Sequence, residues 1–111
     1  MRRLARLTLV AAIVAVPGLA TPAAASTDAA MARGMAQASR ACLKASELKN
    51  AATVGEPILF SDDAGKTAFL VTGRWRPAHM RKARATLLCL YDRSTRRAET
   101  QEAPRWTVAP R

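Results

Sequence analysis

Few residues of this chain carry side chains that could do chemistry together. His79 is the only histidine, and a nucleophilic triad would need it as the base beside a serine or a cysteine. No serine lies in a nucleophile-elbow sequence, and the adjacent carboxylates Asp62 and Asp63 lie in a turn sequence, where neighbouring side chains diverge. The sequence also lacks a phosphate-binding glycine loop and a metal-ligand spacing. We therefore expect a non-enzymatic protein with no cofactor and no metal.

The chain has two cysteines, Cys42 and Cys89, which do not form a Cys-x-x-Cys motif. Outside the cytoplasm, an even number of cysteines favours a disulfide. A covalent link would matter in a domain small enough to bury only about 60–65% of its unfolded surface. We expect a Cys42–Cys89 disulfide, and the alternatives are two buried free thiols or a reactive cysteine.

The first 25 residues have the order of a secretory signal peptide. Arginines come first, an apolar run follows, and small residues lead up to Ala25. An apolar run of about ten residues is too short to span a bilayer, which needs roughly 20. We expect cleavage after Ala25, so that residues 26–111 form one bacterial periplasmic or secreted domain with no transmembrane segment.

The exported part of the chain is strongly basic. The full chain has a net charge of +10; three of its 18 basic residues and none of its 8 acidic residues lie in the leader, which leaves +7. Outside the cytoplasm the acidic counterparts are lipid head groups, polyanionic polysaccharide and acidic proteins. A general preference for arginine in the proteome of origin would explain the same excess.

Residues 28–49 predict a helix that begins after Thr27 and ends before Asn50. Small and apolar residues repeat along one side of this helix with a period of 3.6 residues. They are Met31, Met35, Ala38, Cys42 and Ala45, flanked by Ala41 and Leu48. Cys42 is therefore expected on the buried side of the helix.

The rest of the chain predicts strands joined by short connections. The expected strands are residues 56–61, 67–75, 84–92 and 97–102, and an irregular tail begins at about residue 103. Short connections favour an antiparallel meander over parallel crossover units. The predicted fold class is α+β, with one N-terminal helix packed on a three- to four-stranded antiparallel meander and a single disulfide.

Strand alternation divides the apolar residues between two faces of the sheet. One face carries Phe69, Val71, Trp75, Leu87, Cys89 and Tyr91, and it must face the helix if Cys89 is to reach Cys42. The other face carries Leu70, Leu88 and Leu90, which makes it more apolar than a solvated face should be. Either the tail with Trp106 and Val108 or a second copy of the chain covers these leucines, or they form an exposed patch that binds a partner.

The loop at residues 73–84 has the highest density of positive charge. Its candidate binding residues are Arg74, Trp75, Arg76, Arg81, Lys82 and Arg84. Guanidinium groups can make bidentate contacts with phosphate or carboxylate; the alternative is a basic loop that only increases solubility. Nucleic acid is not an expected partner, because binders of single strands present several stacking aromatic residues and this chain is expected to be exported.

The sequence LLCLYDRSTRRAE, residues 87–99, resembles the closing hairpin of PepSY-type domains, which are exported modules with a helix followed by a meander. In that hairpin an apolar strand is followed by Asp-x-x-Thr-Gly and a second apolar strand. Asp92 and Thr95 match the pattern, whereas Arg96 replaces the glycine and Ala98 replaces a larger apolar residue. The resemblance implies a non-enzymatic binding or peptidase-inhibiting module, and it implies no ligand and no catalytic residue.

Together these features predict a small exported binding or inhibitory module for an envelope protein or peptide. It would use the Leu70, Leu88 and Leu90 face, the basic loop, or both. The alternative function is a basic adaptor for anionic envelope surfaces, either lipid head groups or polyanionic polysaccharide. Whether the domain forms a homodimer is left open.

Overall fold

The computed structural model describes residues 27–110 and, apart from them, Ala11. One helix is followed by four strands: α1 Asp28–Ser46, β1 Lys49–Leu59, β2 Lys66–Arg74, β3 Arg84–Asp92 and β4 Ala98–Glu102. The strands pair in chain order, all antiparallel, and α1 packs against the sheet. The predicted α+β fold class is confirmed. The predicted signal peptide lies outside the described residues, Ala11 excepted.

Helix α1 begins where its cap residue predicts and ends before its predicted limit. The Thr27 hydroxyl accepts a hydrogen bond from the Ala30 N–H at 3.1 Å, which caps the first turn. The helix ends at Ser46 instead of residue 49, because Glu47 takes the left-handed conformation with φ 55° and its N–H returns to the Lys44 carbonyl. Leu48 is buried, but it belongs to the connection between α1 and β1 and not to the helix.

Strand β1 begins at Lys49, so the predicted start at residue 56 is wrong. Residues 49–54 pair with β2 through two register irregularities, which occur on either side of residues 52–54. Asn50 and Gly55 have positive φ angles of 55° and 69°, as residues at bulges often do. The sequence from 49 to 55 has few β-branched or large apolar residues, which is why its alternation was not visible.

The core lies between α1 and one face of the sheet. Its most buried residues include Ala38 and Cys42 from the helix, and Phe69, Val71, Leu87, Cys89 and Tyr91 from the strands. Cys42 and Cys89 form the predicted disulfide, with a Cα–Cα distance of 5.8 Å and both residues fully buried. Gly73 allows Leu48 to approach β2, since a Cβ at this position would be 2.8 Å from the Leu48 Cβ.

The C-terminal tail crosses the face of the sheet opposite to α1, here called the back face. The Ala103 N–H donates to the Thr86 carbonyl at 2.9 Å, and Val108 Cγ2 lies 2.7 Å from where a Cβ on Gly55 would stand. Ala103 continues the line of β4 and is therefore three interstrand spacings of about 4.8 Å from β1, and the five residues from 103 to 108 reach at most about 17 Å. Because α1 occupies the other face, the tail passes directly over the middle of the back face.

Candidate functional site

The residues that could have formed a catalytic set are far apart and exposed. His79 lies in a single 3-10 turn at Ala78–Met80, and Asp62 and Asp63 lie in the β1–β2 turn. Asp62 Oδ1 is 3.6 Å from Arg93 Nη2. Among the described residues, no group of three or more histidine, cysteine or acidic side chains is placed to hold a metal ion. The structure therefore brings together no catalytic set from these residues.

The strand register arranges the back face in parallel cross-strand rows. One row joins Ile58, Ala68 and Leu90, and the next joins Val54, Leu70 and Leu88. Ala52, Thr72 and Thr86 follow, and the last row is Lys49, Arg74 and Arg84. The Lys66–Asp92 pair ends the back face beside the β1–β2 turn, two apolar rows that Glu99 and Gln101 of β4 extend follow, and the opposite end is cationic.

The row of Lys49, Arg74 and Arg84, here called the cationic row, consists of three directly opposed positive charges. Each is the Cα partner of its neighbour across an antiparallel pair, so neighbouring Cα atoms lie about 4.5–5.5 Å apart. All three residues are exposed, and none forms an ion pair with a described residue. Directly opposed like charges destabilise a sheet. The row is therefore an unneutralised cationic surface.

The loop after β2 divides its predicted binding residues between two roles. Arg76 donates from Nε to the Glu47 carbonyl at 3.0 Å and from Nη2 to the Leu48 carbonyl at 3.3 Å, so it ties the end of α1 to the sheet. Trp75 is half-buried against the core. These two residues hold the fold together, and Arg76 uses two donor groups that an anion would need.

The remaining cations of the loop lie beside the cationic row. Arg81 and Lys82 are exposed and have consecutive positive φ angles of 52° and 56°. Arg74 Nη1 donates to the Lys82 carbonyl at 2.9 Å, which fixes this turn next to the row. Four of the predicted loop residues, Arg74, Arg81, Lys82 and Arg84, are thus gathered at one end of the back face. Lys49, which sequence reasoning missed, joins them through the register of β1.

The predicted apolar interface is only partly accessible. Leu70 and Leu88 are half-buried in the middle of the back face, where the tail crosses. Leu90 is 39% exposed, and Ile58, in the same cross-strand row, is 61% exposed. The accessible apolar surface is therefore formed by Ile58 and Leu90, in a row that Glu99 of β4 extends, rather than by the leucines at the centre.

A cleft of about 310 Å³ lies between the N-terminal half of α1 and the β1–β2 turn, and sequence reasoning did not find it. Met31, Met35, Leu59 and Tyr91 provide its apolar lining. Two arginines, Arg93 and Arg96, also line the cleft. Arg93 bonds to the carbonyls of residues 60, 61 and 66 and to the hydroxyl of residue 67. Arg93 therefore ties the turn to β2 and has little donor capacity left for a ligand.

Asp92 organises the β3–β4 turn. Its Oδ1 accepts from the Ser94 N–H and hydroxyl at 2.8 Å each and from the Thr95 N–H at 3.1 Å, while Oδ2 pairs with Lys66 Nζ at 2.6 Å. The Lys66 ammonium, followed by these hydrogen bonds, holds the pKa of Asp92 well below its ordinary value. Arg96 completes the turn with a positive φ of 60°. Turn geometry thus accounts for Asp92 in the Asp-x-x-Thr sequence, whereas Thr95 contributes its backbone N–H.

Comparison of the chain with protein-family models, with curated proteins and with solved structures found no match. The resemblance of residues 87–99 to the closing hairpin of PepSY-type domains therefore stays a prediction. Among the described residues, no helix has the length and hydropathy that a bilayer crossing requires.

Proposed function

We propose that this protein is a small exported, non-enzymatic binding module that attaches to anionic surfaces of the bacterial envelope through its cationic row. The observation that supports this function is the direct opposition of Lys49, Arg74 and Arg84 across three strands without an acidic partner among the described residues. The row repels itself in the free protein. An anion placed over the row would remove that repulsion and gain several charge-assisted hydrogen bonds.

The chemistry of the row suits phosphate, sulfate or carboxylate groups on an extended surface. The Arg84 guanidinium can present a planar pair of donors to an oxyanion. Arg74 uses Nη1 for the Lys82 carbonyl and keeps Nε and Nη2 as a second pair. Lys49 adds a point charge on one side, and the turn at Arg81 and Lys82 adds two more cations beyond the strand ends. Five positive charges at one end of a small domain attract polyanions over a distance of about 10 Å at moderate salt.

A titration with dextran sulfate as the polyanionic probe tests this function. The double variant Arg74→Gln with Arg84→Gln should bind at least about tenfold more weakly at about 50 mM salt. In a plot of the logarithm of the binding constant against the logarithm of salt concentration, its slope should be smaller in magnitude by about two. The matched control is Arg33→Gln with Arg40→Gln, which removes the same charge from the exposed side of α1. Equal weakening in both double variants would mean that net charge, and not the row, controls binding.

Binding of an envelope protein or peptide is the second candidate function, and the exposed side chains of Ile58 and Leu90 favour it. Such an interface would be apolar and would hold at high salt, unlike a polyanion contact. The test is capture of a partner from an envelope extract at about 1 M salt, with Ile58→Ser and Leu90→Ser as the variant. Both changed residues are exposed, so this variant should fold, whereas a charge at the half-buried Leu88 would disturb the sheet.

Export is part of both candidate functions. The leader predicts cleavage after Ala25, so N-terminal sequencing of the protein recovered from a bacterial periplasm should begin at Ser26. The disulfide is compatible with that compartment. A mature N-terminus at Met1 would contradict export through this leader.

A further inference from the structure

We propose that the anionic surface is a lipid membrane, and that Trp106 inserts into its interface while the cationic row contacts the head groups. This inference rests on the proposed function and names its partner. Trp106 is 55% exposed although it is one of the largest apolar side chains in the protein. An exposed indole on the same face as unneutralised cations is the combination that peripheral membrane proteins use at the boundary between head groups and acyl chains.

Two backbone hydrogen bonds fix the start of the tail, which carries Trp106, to strand β3. The Trp106 N–H donates to the Ala103 carbonyl at 3.0 Å, and the Ala103 N–H donates to the Thr86 carbonyl at 2.9 Å. Thr86 is two residues from Arg84 on the same face of β3, a distance of about 6.8 Å along the strand. The start of the tail is thus fixed to the strand that carries one of the three cations.

The path of the tail decides on which side of the molecule Trp106 lies. The tail runs from Thr86 to Gly55 across the back face, and Trp106 is between these two contacts. Because the sheet lies beneath the tail, the exposed half of the indole is on the outer side of the back face. Val108, further along the same segment, is 49% exposed. The back face therefore presents two apolar side chains and a row of cations to the same side.

An anionic membrane accounts for both features, whereas a soluble polyanion accounts only for the charge. Each lysine or arginine near an anionic bilayer surface strengthens binding by roughly fivefold. The indole gains by leaving water for the interface, where its ring is in an apolar region and its N–H stays hydrogen-bonded. A sulfated polysaccharide offers no apolar layer for Trp106 or Val108, and an acidic peptide would need a complementary groove at this flat surface.

Vesicle co-sedimentation distinguishes the lipid source from other polyanions. The oxidised protein, purified from the periplasm of an expression host, is mixed with vesicles of phosphatidylglycerol and phosphatidylcholine, or of phosphatidylcholine alone. We expect binding to the anionic vesicles, little binding to the neutral ones, and a blue shift of tryptophan emission on binding. Trp106→Ala should weaken vesicle binding by about tenfold and leave dextran sulfate binding unchanged, because only the membrane contact uses the indole.

Two further measurements test whether Trp106 enters the membrane and whether the variants fold. Trp106→Phe retains the other indole, at the half-buried Trp75, so the blue shift should disappear in this variant if Trp106 enters the membrane. Near-ultraviolet circular dichroism of both variants checks that they fold. Binding to dextran sulfate without binding to anionic vesicles, or vesicle binding that Trp106→Ala leaves intact, would overturn the membrane inference while the proposed function stands. Binding to neither probe would overturn both.

Discussion

Reversing the charge of Arg84 is expected to stabilise the fold while it weakens anion binding. Arg84 lies directly opposite Arg74, and its side chain has no ion pair with a described residue. Directly opposed like charges destabilise a sheet, and an opposed pair of opposite charges contributes about 0.2–1 kcal/mol. Arg84→Glu replaces a pair of like charges with a pair of opposite charges. The free energy of unfolding should therefore rise by about 0.5–1 kcal/mol after allowance for screening at an exposed site.

Thermal unfolding by differential scanning calorimetry measures this gain. A change of that size raises the Tm by roughly 2–8 °C in a domain of this length. At about 1 M salt the screening length falls to about 3 Å, so most of the gain should disappear. Arg33→Glu is the matched control, because it changes the net charge equally at an exposed position on α1 that has no opposed cation on a neighbouring strand.

The outcome separates local repulsion from the effect of net charge. A rise in Tm for Arg84→Glu that exceeds the rise for Arg33→Glu, and that shrinks with salt, supports a self-repelling row. Equal rises in the two variants, or a lower Tm for Arg84→Glu at low salt, would show that repulsion within the row does not destabilise the fold. The stabilised variant should also lose affinity for dextran sulfate, which would show that this surface is kept cationic at a cost in stability.

Three other predictions concern the framework that holds the row. Replacing Cys42 and Cys89 together by alanine opens a loop of 47 residues and should lower the free energy of unfolding by up to about 4 kcal/mol; an unchanged urea midpoint would contradict this. The depressed pKa of Asp92 means that its carboxylate stabilises the folded state above about pH 4, with the stabilisation lost as pH falls further. Asp92→Asn should therefore lower the Tm at pH 7 and make the acid limb of a Tm-against-pH curve shallower, and parallel curves for variant and wild type would argue against this role. Arg96 has a positive φ, so Arg96→Gly should be neutral or stabilising by up to about 1 kcal/mol in urea unfolding, and a clear loss would show that the arginine side chain has a structural role.

The parts of the fold that sequence reasoning predicted well have strong local signals. Strand β3, Arg84–Asp92, was predicted with its observed bounds, because its apolar alternation is continuous and turn sequences flank it on both sides. The pairing of Cys42 with Cys89 followed from there being only two cysteines, one in the apolar stripe of a helix and one on a strand. The strand depends on residues that are near one another in sequence, and the disulfide depends on only one pair of cysteines being possible.

The parts that were missed depend on pairings between distant segments. The helical period of apolar residues continues through Leu48, so the sequence predicts too long a helix. Leu48 is buried, but it lies in the connection after α1. The start of β1 at Lys49 was hidden because small residues follow it and two bulges interrupt its alternation. Lys49 could be placed beside Arg74 only once that register was known.

The sequence also could not predict the different roles of neighbouring arginines. Arg74 and Arg76 look alike in the loop sequence, yet Arg76 binds the last carbonyls after α1 and Arg74 lies in the cationic row. The difference comes from where the end of the helix lies relative to β2. The accessibility of the leucines was undecided for a similar reason, because the path of the tail depends on the contact between Val108 and Gly55.

The central claim, that the cationic row is the binding surface, is tested most directly by an NMR titration of the isotope-labelled protein with a sulfated oligosaccharide. The largest backbone amide shifts are expected at Lys49, Arg74 and Arg84 and in the turn at residues 81–82, with small shifts at Arg33 and Arg40 on α1. Shifts centred on Ile58 and Leu90, or spread evenly over all arginines, would contradict that claim.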